Sequence, residues 1–245
     1  MNRFCFILIF CTLPTFIFAQ KNKKINYAFS KLEHIVVDAS LDDWGENLHE
    51  MHGDLWSFNV SAVDNKLYFA VLIKDLQLQR DAFRGGIFVN ISYNDKKKEG
   101  ARIIFPYWDG ERRRALANDE ELRSKNIEQE LLKNVNGYYL KGFAKVRDGV
   151  LALDNDYGIR AKVQMDSNKC LLYEAVVPLD LVGLKSDVVA IQLGVNTQFA
   201  MLRKAAENQN RNMPINPMYA RPSVSNSIKN PYKGETEVWI IDKVN

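Results

Sequence analysis

From Trp56 to Ile73 the side chains alternate along the chain, and that alternation limits the possible folds more than any other feature. Leu67, Phe69, Val71 and Ile73 fall on one face of an extended chain, with Lys66, Tyr68, Ala70 and Leu72 on the other, because successive side chains of a strand point to opposite faces. Trp56 to Val63 alternates in the same way, and Asp64-Asn65 between the two runs tolerates left-handed backbone, so the pair predicts a hairpin. A second pair is expected over 86–93 and 101–107, joined by the charged connection 94–100. Further strands are expected over 159–165, 170–177, 188–196 and 237–241, giving about ten strand-like stretches in all.

The first nineteen residues read as a signal peptide. Asn2-Arg3 starts it, residues 4–18 are almost wholly apolar, and Phe18-Ala19 before Gln20-Lys21 offers a small-residue cleavage point. The run is short for a membrane span, and the polar residues Lys21 to Lys24 follow at once. Bulky Phe10 before Cys11 does not suit lipoprotein processing. The expectation is a secreted or periplasmic protein without a membrane span after cleavage, in which 20–245 form one domain.

Cleavage removes Cys5 and Cys11, leaving Cys170, and one thiol cannot form an internal bridge. The fold must then rest on its core, for which the remaining chain is long enough. With 33 basic and 30 acidic side chains, the charge is too nearly balanced for nucleic acid to be the main partner.

Two segments break the strand pattern. A helix is expected over about 111–133, where Leu122, Ile127, Leu131 and Val135 recur at helical spacing among many charges and Asn134 to Gly137 end the run. Residues 203–234 contain Pro214, Pro217, Pro222 and Pro231 among many Asn, a composition read as a long irregular loop before the last strand.

The stretches Val37 to Gly45, Asn65 to Ala70 with Lys74-Asp75, and Tyr173 to Leu179 resemble the framework of carbohydrate-binding module family 9. The likeness spans most of the mature chain and departs at Ala39, where glycine is usual. It implies an all-β fold: a single antiparallel, jelly-roll-like β-sandwich, here with one inserted helix and the long Asn/Pro-rich loop. It reads Ile35 to Val37 as a strand entering an Asp-rich turn, with Trp44 and Trp239 in the core. It also implies a non-catalytic domain that binds glycan or oligosaccharide.

Sugars stack their C–H faces on aromatic rings and satisfy their hydroxyls with charged or amide groups. The candidate ligand contacts are Trp108, Tyr107, Trp56 and Tyr93, with Arg84, Arg102 and Asp109 as polar partners. Trp108 leads because Pro106 to Gly110 leaves a strand and places two adjacent rings in a turn.

Other chemistries have weaker signals. His49 and His52 lie three apart, not at the four-residue spacing of the helical zinc motif, so they read as a solvated loop or, less favoured, as haem or metal ligands. Asp38, Asp42, Asp43, Asp154, Asp156, Asp166 and Glu174 leave a carboxylate pair for glycoside hydrolysis open, as the sequence does not show separations. No cofactor is expected, with a structural calcium at Asp42-Asp43 as the alternative beside the less favoured haem or metal reading. There is no nucleophile elbow or phosphate loop, and Gly85-Gly86 reads as the start of a strand. The sequons at Asn59 and Asn90 fall inside expected strands. A cell-envelope protein gripped by 203–234 is the alternative partner.

Overall fold

The computed structural model describes residues 27–32, 34–109, 111, 132, 135, 137–212 and 229–244, with side chains in the last helix described to residue 206. The expected signal peptide, nearly all of the helix expected over 111–133, and 213–228 of the expected loop lie outside these residues.

Two antiparallel sheets form the molecule. The five-stranded sheet runs in the order β1 (His49–Glu50), β2 (Trp56–Val63), β3 (Lys66–Ile73), β9 (Leu171–Pro178), β8 (Arg160–Met165). The six-stranded sheet runs β11 (Glu237–Lys243), β10 (Val188–Val195), β4 (Ile87–Ile91), β5 (Ala101–Phe105), β6 (Gly137–Lys141), β7 (Gly149–Ala152). The all-β sandwich expected from sequence is therefore the fold. β2 and β3 pair as the hairpin requires, Val63 opposite Lys66, and Asp64 and Asn65 both take positive φ in the turn. Leu67, Phe69, Val71 and Ile73 are fully buried against Ile87, Val89 and Ile103 of the other sheet. Each such side chain contributes about 1.5–3 kcal/mol of transfer free energy.

Part of the outer face of the five-stranded sheet, over β9, is covered by the segment that carries the family resemblance. Residues 35–37 do not form the expected strand, and Asp42–Trp44 is one 3-10 turn. The segment is held instead by Glu174, on the outward side of β9. Its Oε2 accepts from the N–H groups of Asp38 (2.9 Å) and Ala39 (2.7 Å), and its Oε1 accepts from the Trp44 indole (2.7 Å). Glu174 and Trp44 have no exposed surface. Burial pushes the Glu174 carboxyl pKa up, while the three donated hydrogen bonds act in the opposite direction. Ala39 sits at φ 70, a left-handed conformation that suits glycine, and its N–H and C=O are pinned by Glu174 and by the Gln164 amide at 2.7 Å.

The chain near residue 30 bridges the sheets at one edge. Ser30 pairs parallel with Ser61 beyond the short β1, and the N–H of Phe29 donates to Asp242 on β11 at 2.7 Å.

Two helices depart from expectation. α1 (Leu76–Gly85) was not anticipated, although Asp75 caps it by accepting from the N–H of Leu78 at 2.8 Å. α2 (Gln198–Asn212) occupies the first third of the segment read as irregular. Its Asn content did not prevent a helix because Pro begins only at residue 214. Strands β1, β6 and β7 also went unread. Trp239 lies half-buried on the outward side of β11 rather than in the core, since the inward positions there are Val238 and Ile240.

One core group has no partner. The hydroxyl of fully buried Tyr173 makes no hydrogen bond among the described residues, and burial raises its pKa well above that of an ordinary phenol. Tyr173→Phe keeps the ring and removes an unsatisfied polar atom, so it is expected to stabilise the fold by about 1 kcal/mol. Thermal denaturation checks this; a lower melting temperature would mean that the hydroxyl is satisfied in solution.

Candidate functional site

The candidate site forms on the outward side of the six-stranded sheet, where α1 meets the ends of β10 and β5. Gly85 ends α1 so close to β10 that a side chain there would lie 2.1 Å from the carbonyl oxygen of Asn196. The Asn196 N–H donates to the carbonyl of Gly86 at 3.0 Å, and its side-chain amide donates to that of Gly85, also at 3.0 Å. From the β5 side, the Trp108 indole donates to the carbonyl of Phe83 at 2.6 Å. These contacts enclose a shallow pocket of about 160 Å³ lined by Arg84, Gly85, Ile104, Pro106, Tyr107, Trp108, Asn196 and Met201. That is smaller than the roughly 300–1,000 Å³ of pockets that enclose a whole small molecule. It has room for one end group.

Beside the pocket, the half-buried Tyr107 ring stacks on Tyr139 of β6, with centroids 5.0 Å apart and planes at 27°. Behind Asn196, Arg102 of β5 donates to the amide oxygen at 3.0 Å and lies 4.3 Å over the Phe88 ring. Burial lowers the pKa of this guanidinium, with Glu99 and Glu237 opposing the shift. Its Nε is buried without an acceptor among the described residues.

The first turn of α2 is tied to α1 through buried Asp81, which accepts from the N–H of Gln198 at 3.1 Å and from the Tyr232 hydroxyl at 2.6 Å. Burial and this carboxylate raise the Tyr232 pKa. The described part of the 229–234 chain is thus anchored to the helix that carries Arg84.

Of the expected contacts, Arg84, Tyr107 and Trp108 converge on the pocket, and Arg102 reaches it through Asn196. Trp108 is not an exposed ring: it is 3% exposed and forms a wall, because its indole is drawn inward to the Phe83 carbonyl. Trp56 is removed from the site altogether, since it is fully buried in the core with its indole on the Glu235 carbonyl at 2.8 Å. Tyr93 does not line the pocket: its hydroxyl donates to the Gly142 carbonyl and Lys185 lies 5.9 Å from its ring centroid. Asp109 is exposed and does not line the pocket either. Asn196 and Tyr139 were missed; the run Tyr138-Tyr139-Leu140 was the available strand signal for the second.

The competing chemistries find other settings. His49 is on the edge strand, its ring 5.2 Å from Tyr27 and 5.7 Å from Phe58, and Met51 is buried, whereas His52 is exposed in the turn that follows, so the solvated-loop reading holds for His52 and not for His49. The first Asp cluster is used locally: Asp38 accepts from the N–H of Ser40, Asp42 from the Ser40 hydroxyl and Asp43 from the N–H of Val36. Among the described residues no three His, Cys, Asp or Glu side chains group as a metal site, and no helix is long and apolar enough to cross a membrane. Among the described residues, those lining the pocket include no carboxylate, histidine, serine or cysteine.

No family model matches the chain, and no curated protein does. Among solved structures, it is similar to a carbohydrate binding module family 9 (CBM9) from Caldicellulosiruptor kristjanssonii in complex with glucose, with 11% identity over 72% of this chain and 81% of that chain and a TM-score of 0.33. A likeness of that strength transfers no ligand contact to this chain.

Proposed function

We propose that the protein is an exported, non-catalytic module that binds a glycan end group on the outward side of its six-stranded sheet. The observation that carries this reading is the convergence of Arg84, Tyr107, Trp108 and Asn196, from three separate segments, on one pocket that the Tyr107–Tyr139 pair flanks. A flat aromatic surface beside polar groups suits a sugar ring, whose C–H face stacks while its substituents reach the pocket. No carboxylate is found among the described lining residues, which favours binding over hydrolysis, a reaction that needs a pair of them across the scissile bond.

The test is a glycan-array screen followed by thermal denaturation with any hit, because a ligand specific for the folded state raises the melting temperature. Tyr139→Ala should then weaken binding about 3–10-fold, as expected for one lost ring contact, with the fold retained. A folded Tyr139→Ala protein with unchanged glycan affinity would remove this surface from the site.

A further inference from the structure

Within that glycan reading, we propose that the pocket selects a sugar bearing an anionic substituent, a carboxylate or a sulfate ester, which pairs with Arg84. Among the described residues, Arg84 is the only charged side chain that lines the pocket, and it is exposed and makes no hydrogen bond or ion pair with them. The neighbouring polar side chains are already engaged. The Asn196 amide gives its N–H to Gly85 and takes one from Arg102, and the Trp108 indole is spent on Phe83. What the pocket offers a ligand is therefore chiefly a guanidinium, which only donates, beside the Tyr107 hydroxyl, and among the described residues no lining carboxylate accepts from a sugar hydroxyl.

An acceptor-only anion matches that offer better than a neutral hydroxyl, and hydrogen bonds between charged partners are the stronger kind. Arg102 adds to the same preference from behind Asn196. Its guanidinium is largely withdrawn from water over Phe88, where a charge is screened less than at the surface. Glu99 and Glu237 offset part of that charge, but neither lines the pocket, and Glu99 also lies 3.8 Å from Lys204. A cation in the last turn also suits the C-terminal end of α1. The test must therefore separate binding from helix stability.

The experiment is calorimetric titration of the chain from Gln20 with three probes: an oligogalacturonate, its neutral methyl ester, and a sulfated galactan oligosaccharide. At least one acidic probe is expected to bind about tenfold or more tightly than the methyl ester, with the preference shrinking in high salt. The acidic probe that binds identifies carboxylate or sulfate as the source. Arg84→Gln should erase the preference while leaving the melting temperature within a few degrees, and Arg84→Lys should keep part of it. Equal affinities, or a preference that survives Arg84→Gln, would overturn the anionic assignment while a bound neutral sugar leaves the glycan reading standing. No binding of any saccharide on the array or in the titration would overturn both.

Discussion

Glu174→Gln is expected to lower the melting temperature by about 5–15 °C, corresponding to a loss of about 2–4 kcal/mol in a domain of this size. Two opposite sides of the carboxylate accept hydrogen bonds, Oε2 from the N–H groups of Asp38 and Ala39 and Oε1 from the Trp44 indole. Glutamine is nearly the same shape but has only one acceptor. Whichever way its amide is turned, the NH₂ faces a donor, and at least one buried N–H loses its partner. Trp44 and Ala39 would be released together, uncovering the outer face of β9. Circular dichroism melts of the two proteins decide the matter. A difference under about 2 °C would mean that the segment is held by apolar packing alone.

Trp108→Ala should be as damaging, costing about 3–5 kcal/mol for the lost ring and leaving the Phe83 carbonyl without its donor. Because Trp108 is both core and pocket wall, glycan binding should disappear along with stability. Trp108→Phe separates the two roles: it restores most of the volume without the indole N–H, so it should melt between the wild type and the alanine variant and keep part of the binding. An alanine variant with the wild-type melting temperature but no affinity would show instead that the ring is a direct ligand contact.

Legibility from sequence differed by element for physical reasons. The β2–β3 hairpin was readable because its alternation and its turn residues agree on one register. α1 was not read, although Asp75 and Gly86 flank it as cap and stop, because the helix is only ten residues long and follows directly on the strand pattern. Within the site, Arg84, Tyr107 and Trp108 were named by residue type, but type does not tell which way a ring turns. Trp108 led the candidates over Trp56 because of its turn, yet both are buried by partners distant in sequence, Phe83 and Glu235. Asn196 could not be singled out, because its value comes from where β10 ends against Gly85.

By itself the sequence determined a strand-dominated fold and, in the β2–β3 hairpin, the register and the face of β3 that enters the core, since period-two alternation is a local property that any neighbouring sheet must respect. Tertiary structure alone decided the rest. It joined Asp38, Ala39 and Trp44 to Glu174, 130 or more residues away, thereby covering the outer side of β9, and it gathered α1, β5 and β10 into a pocket on the other sheet. Hydrogen-bond partners and pocket walls are set by which strand ends meet in space, and no local pattern encodes that meeting.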